Sequence, residues 1–309
     1  MTPHLSIVPR MRRLASGIEL EVAEAGPTDG PLVILLHGFP DLWQGWHRQI
    51  EPLTSAGFRV LLPNQRGYGR SDKPEGIAAY DLDRLADDVL ALAASERRDK
   101  FQLVGHDWGG IVAWWTAARA SQVVQRLVIL NAPHPGVIRH YLITHPTQML
   151  KSWYIGFFQL PWIPEIVLST GQFALLHHAV QSTAAPGTFG DTDRRYLVDG
   201  WSQPGALRAM INYYRALLRR SDRSFSKRVT APTLILFSRK DPAENPSLAS
   251  ASQRLCDEAQ IIWFDEARHW LQREDSERVN TSLLAFLAGP LSDSMPQRLP
   301  VVAAKDLNR

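Results

Sequence analysis

The sequence predicts an α/β fold, a doubly wound and mostly parallel sheet with a helical cap inserted over it. Three observations predict it. Short β-branched and leucine-rich runs recur along the chain, helical patterns fill the intervals between them, and the alternation stops after Asn131 and resumes only at Ala231.

Taken in order, the runs are LVILL (32–36), FRVLLP (58–63), FQLVG (101–105), LVILN (127–131), TLILF (233–237) and QIIWF (260–264). Polar residues seldom interrupt them, as expected of strands buried on both faces of a parallel sheet. Between the second and third runs, Leu82, Leu85, Val89 and Leu92 recur at the spacing that places them on one face of a helix. After LVILN the proline-rich NAPHPG leads the chain out of the sheet. The next segment is rich in aromatics, contains helix-compatible stretches such as ALRAMINYYRALLRR and has no strand rhythm, so it reads as the cap. The expected organisation is a first core part over 1–134, the cap over 135–229, a second core part over 230–288 and a tail over 289–309. The tail has turn formers and no periodicity, and is expected to be mobile or loosely docked.

With 309 residues and 45% apolar content, the chain can bury a large core. Cys256 is the one cysteine, and the opening MTPHLSIVPRMRRLASG lacks the apolar stretch of a signal peptide, so a reducing, cytoplasmic setting is expected. No run of about 18 apolar residues is present to cross a bilayer. The formal charge of +3 is small and the arginines are scattered, which argues against a nucleic-acid partner. Arg194, Arg195, Arg208, Arg215, Arg219, Arg220 and Arg223 make one region locally basic, which reads as a solvated helix face.

The chemistry is carried by LVGHDWGGIVAWWTAARA, which begins as a strand, turns at Gly105-His106-Asp107-Trp108-Gly109 and continues as a helix. Small residues flank a nucleophile at such an elbow because the backbone is strained and a Cβ at either glycine would clash. Asp107 stands where other elbows carry serine. A carboxylate can displace a leaving group at a saturated carbon and become an ester, which water must then hydrolyse with the help of a base and an oxyanion site. HGFP, His37 to Pro40, follows the first run, and the N–H groups of Phe39 and Trp108 are the oxyanion candidates. Asp241, after TLILF, and His269, after QIIWF, follow the order nucleophile, acid, histidine. His269 is the expected base and Asp241 its orienting acid. His37, Phe39, Trp108 and Trp153 are expected to line the substrate site, His37 fixing the loop rather than handling protons. Other tryptophans, Trp114, Trp115, Trp162 and Trp201, are assigned to the core and an apolar pocket wall. The adjacent His177 and His178 lack metal-ligand spacing, so neither a metal nor a cofactor is expected.

At this point the chain resembles the epoxide hydrolase branch of the α/β-hydrolase fold family, over roughly residues 20 to 288. HGFP (37–40), RGYGRSDKP (66–74), GHDWGG (105–110), NAPHP (131–135), KDP (240–242) and the late His269 carry the resemblance. It implies that SWYIGFFQLP and INYYR hold a paired phenol set, Tyr154 and Tyr214, which would protonate the epoxide oxygen as the ring opens. It further implies an apolar epoxide and water as the partners, in a monomer or homodimer. Arg268, where the family has glycine, and Asn64-Gln65, where an acid is common, depart from the pattern; Arg268 could shift the His269 loop or depress its basicity.

Three rivals share much of this pattern. A haloalkane dehalogenase would use the Trp108 indole N–H to hold halide, but wants a second side-chain donor at the position of Phe39, which has none. A fluoroacetate-type dehalogenase would place arginines after the nucleophile, where this chain has Trp108, Gly109 and Gly110. A non-catalytic relative serving as a receptor or interaction protein would keep the fold and lose the triad.

Overall fold

The computed structural model describes residues 7–219 and 228–289. Eight strands run as β1 (Arg10–Arg13), β2 (Glu19–Ala25), β3 (Leu32–Leu36), β4 (Arg59–Pro63), β5 (Phe101–His106), β6 (Val124–Leu130), β7 (Thr233–Ser238) and β8 (Ala259–Phe264). They form one sheet in the order β1-β2-β4-β3-β5-β6-β7-β8. The pairs β1/β2 and β2/β4 are antiparallel and all the others parallel. The six apolar runs form β3 to β8, and β3, β4, β5 and β7 are buried at every residue. The first two strands carry no such run. β1 reads Arg-Met-Arg-Arg and is largely exposed, a charged edge that discourages further pairing.

The helices are α1 (His47–Ser55), α2 (Leu82–Ser95), α3 (Trp108–Arg119), α4 (Pro135–Thr144), α5 (Pro146–Lys151), α6 (Trp153–Phe157), α7 (Ile163–Thr183), α8 (Asp191–Trp201), α9 (Ala206–Arg219), α10 (Ser247–Gln253), α11 (Leu271–Glu274) and α12 (Ser276–Leu287). In α2, Asp81 caps the first turn by accepting from Asp83 N–H at 3.0 Å, and Leu82, Leu85, Val89 and Leu92 are all buried. Burying each such side chain is worth about 1.5–3 kcal/mol. The helix α3 is apolar all round because it is enclosed, with Trp114 and Trp115 in the core. Helices α4 to α9 all fall between β6 and β7, where the sequence lacks strand rhythm. Within them α7 is broken by left-handed backbone at Gly171, Gln172 and Phe173.

Two expectations need correction. Arg215 does not lie on a solvated face: it is buried and pairs with both oxygens of Glu165 at 2.7 and 3.1 Å, so its charge serves packing between α7 and α9. Trp162 is 60% exposed instead of buried in the core, and the Arg208 guanidinium stacks over its ring at 4.1 Å. Arg220, Arg223 and the tail beyond Gly289 lie outside the described residues.

Candidate active site

The turns after β3, β5, β7 and β8 converge at the carboxyl ends of neighbouring parallel strands, where such sheets hold their ligands. Asp107 sits between β5 and α3 with φ 50° and ψ −123°, a strained conformation for a non-glycine residue. Three glycines make the elbow possible. A Cβ at Gly105 would lie 2.3 Å from Gly109 O, one at Gly109 would lie 2.2 Å from Leu36 O, and one at Gly38 would lie 2.4 Å from Asp107 Cβ.

The HGFP loop reaches the carboxylate directly. Phe39 N–H donates to Asp107 Oδ1 at 2.6 Å, and Trp108 N–H also bonds the carboxylate. On the other side, His269 Nε2 lies 3.7 Å from Asp107 Oδ2, while its Nδ1 and Asp241 Oδ2 are 2.8 Å apart. The fully buried Asp241 carboxylate is anchored by its Oδ1, which accepts from Ala243 N–H at 2.7 Å and Glu244 N–H at 3.1 Å. Burial pushes the Asp107 carboxyl above the usual aspartate range, against the pull of His269 and the two N–H donors. Burial alone would lower His269, but the charge and hydrogen bond of Asp241 and the charges of Asp107 and Glu244 raise it to about 9.

Tyr154 from α6 and Tyr214 from α9 stand edge to face, their ring centroids 5.8 Å apart. Tyr214 also packs on Phe39 at 5.2 Å and Trp108 at 4.9 Å, and its hydroxyl is hydrogen-bonded by the Trp108 side chain. Burial pushes both phenols well above their usual value, helped by the nearby negative charge of Asp107, so they remain protonated donors. The neighbouring Tyr213 donates to Arg66 O at 2.8 Å and is spent on packing. A cavity of about 350 Å³ opens onto Asp107, Phe39, Tyr154, Tyr214 and His269, with the 68% exposed Trp153 at its rim.

The structure thus brings together Asp107, His269, Asp241, Tyr154, Tyr214, Phe39, Trp108 and Trp153, but leaves His37 outside the cavity lining. His37 is buried behind the loop: Nδ1–H donates to Gly38 O at 3.0 Å and Nε2 accepts from Gln65 N–H at 3.1 Å. Burial lowers its pKa to about 4, so it is a neutral brace for the loop. The amide of Gln65, one of the departures from the family pattern, donates to His37 O at 2.7 Å, a bond that a carboxylate could not make. The Arg268 guanidinium donates to Ser182 O at 2.9 Å and Ala184 O at 3.2 Å.

Other contributors escaped the sequence reading. Asn131 Nδ2 donates to the carbonyls of Arg268 and His269, both at 2.9 Å, and His106 Nε2–H donates to His269 O at 2.8 Å, so two buried side chains hold the backbone of the base. Both residues lie inside quoted motifs, but nothing in their spacing announces a partner far along the chain. Glu244 adds a third carboxyl beside Asp107; burial and the charges of Asp241 and Asp107 push it well above the usual carboxylate range. Among the described residues, no group of three or more His, Cys, Asp or Glu is arranged to hold a metal ion, and no helix is long and apolar enough to cross a membrane.

A strand-elbow-helix turn at Asp107 with Asp241 and His269 just past later strand ends is the arrangement of an α/β-hydrolase, and the chain belongs to that family: the alpha/beta hydrolase fold matches residues 31–276. Among similar proteins is the AB hydrolase superfamily protein YfhM of Bacillus subtilis, 42% identical over 88% of this chain and 95% of its own length. Human epoxide hydrolase 4 is 36% identical over 88% of this chain and 76% of its own. One of the novel epoxide hydrolases from metagenomes of hot environments superposes with a TM-score of 0.82 at 33% identity, covering 93% of this chain and all of that one. The resemblance to epoxide hydrolases is therefore met in both sequence and fold.

Proposed function

We propose that this chain hydrolyses an apolar epoxide to a vicinal diol through an ester on Asp107, in a site closed by a cap spanning 135–229 between core parts 1–134 and 230–288. The observation that carries the reading is the pair of protonated phenols, Tyr154 and Tyr214, lining the same cavity as the Asp107 carboxylate. An epoxide leaves as an alkoxide and needs a proton, whereas halide does not.

Oδ1 of Asp107 is engaged by Phe39 N–H, so Oδ2 is the attacking atom. It bonds to a ring carbon as that carbon's bond to the epoxide oxygen breaks, and a phenol proton passes to the oxygen, giving a hydroxy ester. His269, protonated while Asp107 is ionised, gives its proton to the tyrosinate, and its Nε2 then takes a proton from water, which adds to Asp107 Cγ. The N–H groups of Phe39 and Trp108 hold the oxyanion, and its collapse releases the diol with one oxygen from Asp107. The proton of the added hydroxyl passes to the departing alkoxide, which restores the Asp107 carboxylate beside the protonated His269. Against the dehalogenase alternative, Phe39 has no side-chain donor and the Trp108 side chain already hydrogen-bonds Tyr214.

The test is diol formation from styrene oxide by Tyr154→Phe, Tyr214→Phe and the double variant. Each single variant should slow ring opening, and the double variant should lose at least about a hundredfold in kcat, the usual scale of general acid catalysis. Wild-type activity in a folded double variant would remove the epoxide assignment.

A further inference from the structure

Asp107, Tyr154 and Tyr214 line two cavities of very different size. The large cavity, about 350 Å³, is walled mainly by apolar side chains of α6 and α7, among them Phe157, Leu176 and Val180. The other holds only about 30 Å³. The large space accepts an aromatic ring or an alkyl chain, whereas the small one has room for one or two waters or a methyl-sized group.

The small cavity is closed by a helix face held in place from behind. Ile138, Tyr141 and Leu142 line it at the three- and four-residue spacing that puts them on one side of α4. Tyr141 OH donates to Ser247 O at 3.3 Å. Gln148, also in the lining, donates to Ser152 Oγ and Ala243 O, each at 2.9 Å, and accepts from Asn245 N–H at 2.8 Å. These bonds bind α4 and α5 to the segment around 243–247, so the small cavity cannot widen without breaking them.

An oxirane held with its oxygen at the phenols and a ring carbon at Asp107 directs the substituents of its two carbons to opposite sides. We infer that the substrates are terminal epoxides with one bulky apolar substituent, seated in the large cavity, while the small cavity admits only hydrogen or a methyl-sized group on the other carbon. This inference rests on the epoxide reading above.

The experiment compares kcat/KM for styrene oxide and trans-stilbene oxide, which differ by a phenyl group on the second carbon, in the wild type, Ile138→Ala and Leu142→Ala. Forcing a ring into a packed wall commonly costs enough for roughly a hundredfold preference, and the wild type should favour styrene oxide by at least that factor. Trimming the α4 wall should narrow the preference by about tenfold or more, and the two variants guard against one failing to fold. Comparable turnover of both epoxides by the wild type would overturn the inference and leave the epoxide reading standing. An undiminished preference in both variants, with wild-type circular dichroism, would also overturn it. No diol from either epoxide would overturn both readings.

Discussion

In the proposed cycle the imidazole of His269 pairs with a carboxylate in one half and takes a proton from water in the other. With Asp107 ionised, the charges of Asp241, Asp107 and Glu244 hold its pKa at about 9, so it stays protonated at neutral pH and forms an ion pair with the nucleophile. Ester formation removes the Asp107 charge, while the burial that favours neutral imidazole remains. His269 should then lose its proton more readily, when a base is required. In single-turnover experiments, ester hydrolysis should therefore speed up as pH rises, with a midpoint below 9; a midpoint at or above 9 would contradict this coupling. At this scale the convergence of Asp107, Asp241 and His269 was legible because each follows a recognisable apolar run. The supporting groups were not. His106 and Asn131 act on a carbonyl that folding alone brings near, and Glu244 looks in sequence like any surface acid after a proline turn.

Secondary elements position these groups by close backbone approach. The HGFP loop after β3 touches the nucleophile because residue 38 has no side chain. Gly38→Ala would drive a Cβ to 2.4 Å from Asp107 Cβ and push the Phe39 N–H away from Oδ1. Losing one oxyanion donor lowers kcat roughly a hundredfold or more, so this variant should fold, bind substrate and turn over at or below that level. Near-normal kcat would mean that Phe39 is not a donor. The strands β3 to β7 could be read from sequence because burial on both faces writes a continuous apolar run, and the partly buried edge strand β8 could be read from its own apolar QIIWF. The antiparallel β1 and β2 could not, since Arg10–Arg13 is charged and Glu19–Ala25 mixes acidic with apolar residues. The break in α7 was equally hidden, because Gln172 and Phe173 carry no turn signal and adopt left-handed backbone beside Gly171.

Across the whole molecule, the helices between β6 and β7 are fastened to the sheet around the site by a few polar bonds. Arg273 of α11 pairs with Asp193 of α8 at 2.9 Å and Asp41 of the oxyanion-loop region at 3.3 Å, and hydrogen-bonds Tyr196. The Trp201 indole Nε1–H donates to Pro40 O at 2.6 Å, and Arg268 holds the end of α7. Arg273→Ala would leave Asp41 buried without its cation, a loss on the order of 3–5 kcal/mol. Thermal unfolding should show a midpoint several degrees lower; an unchanged midpoint would mean the helices dock by apolar contact alone. The presence of an inserted helical segment was legible from the missing strand rhythm. Its docking was not, because Arg215 and Arg273 resemble surface charges in sequence and are buried in the fold.

The most direct measurement is the intact mass of His269→Gln after exposure to styrene oxide. With the base removed and the nucleophile and phenols intact, the ester should form and persist, raising the mass by one whole epoxide, and peptide mapping should place the adduct on Asp107. An unmodified protein, or an adduct retained when Asp107 is also changed to Ala, would contradict a covalent mechanism through this aspartate.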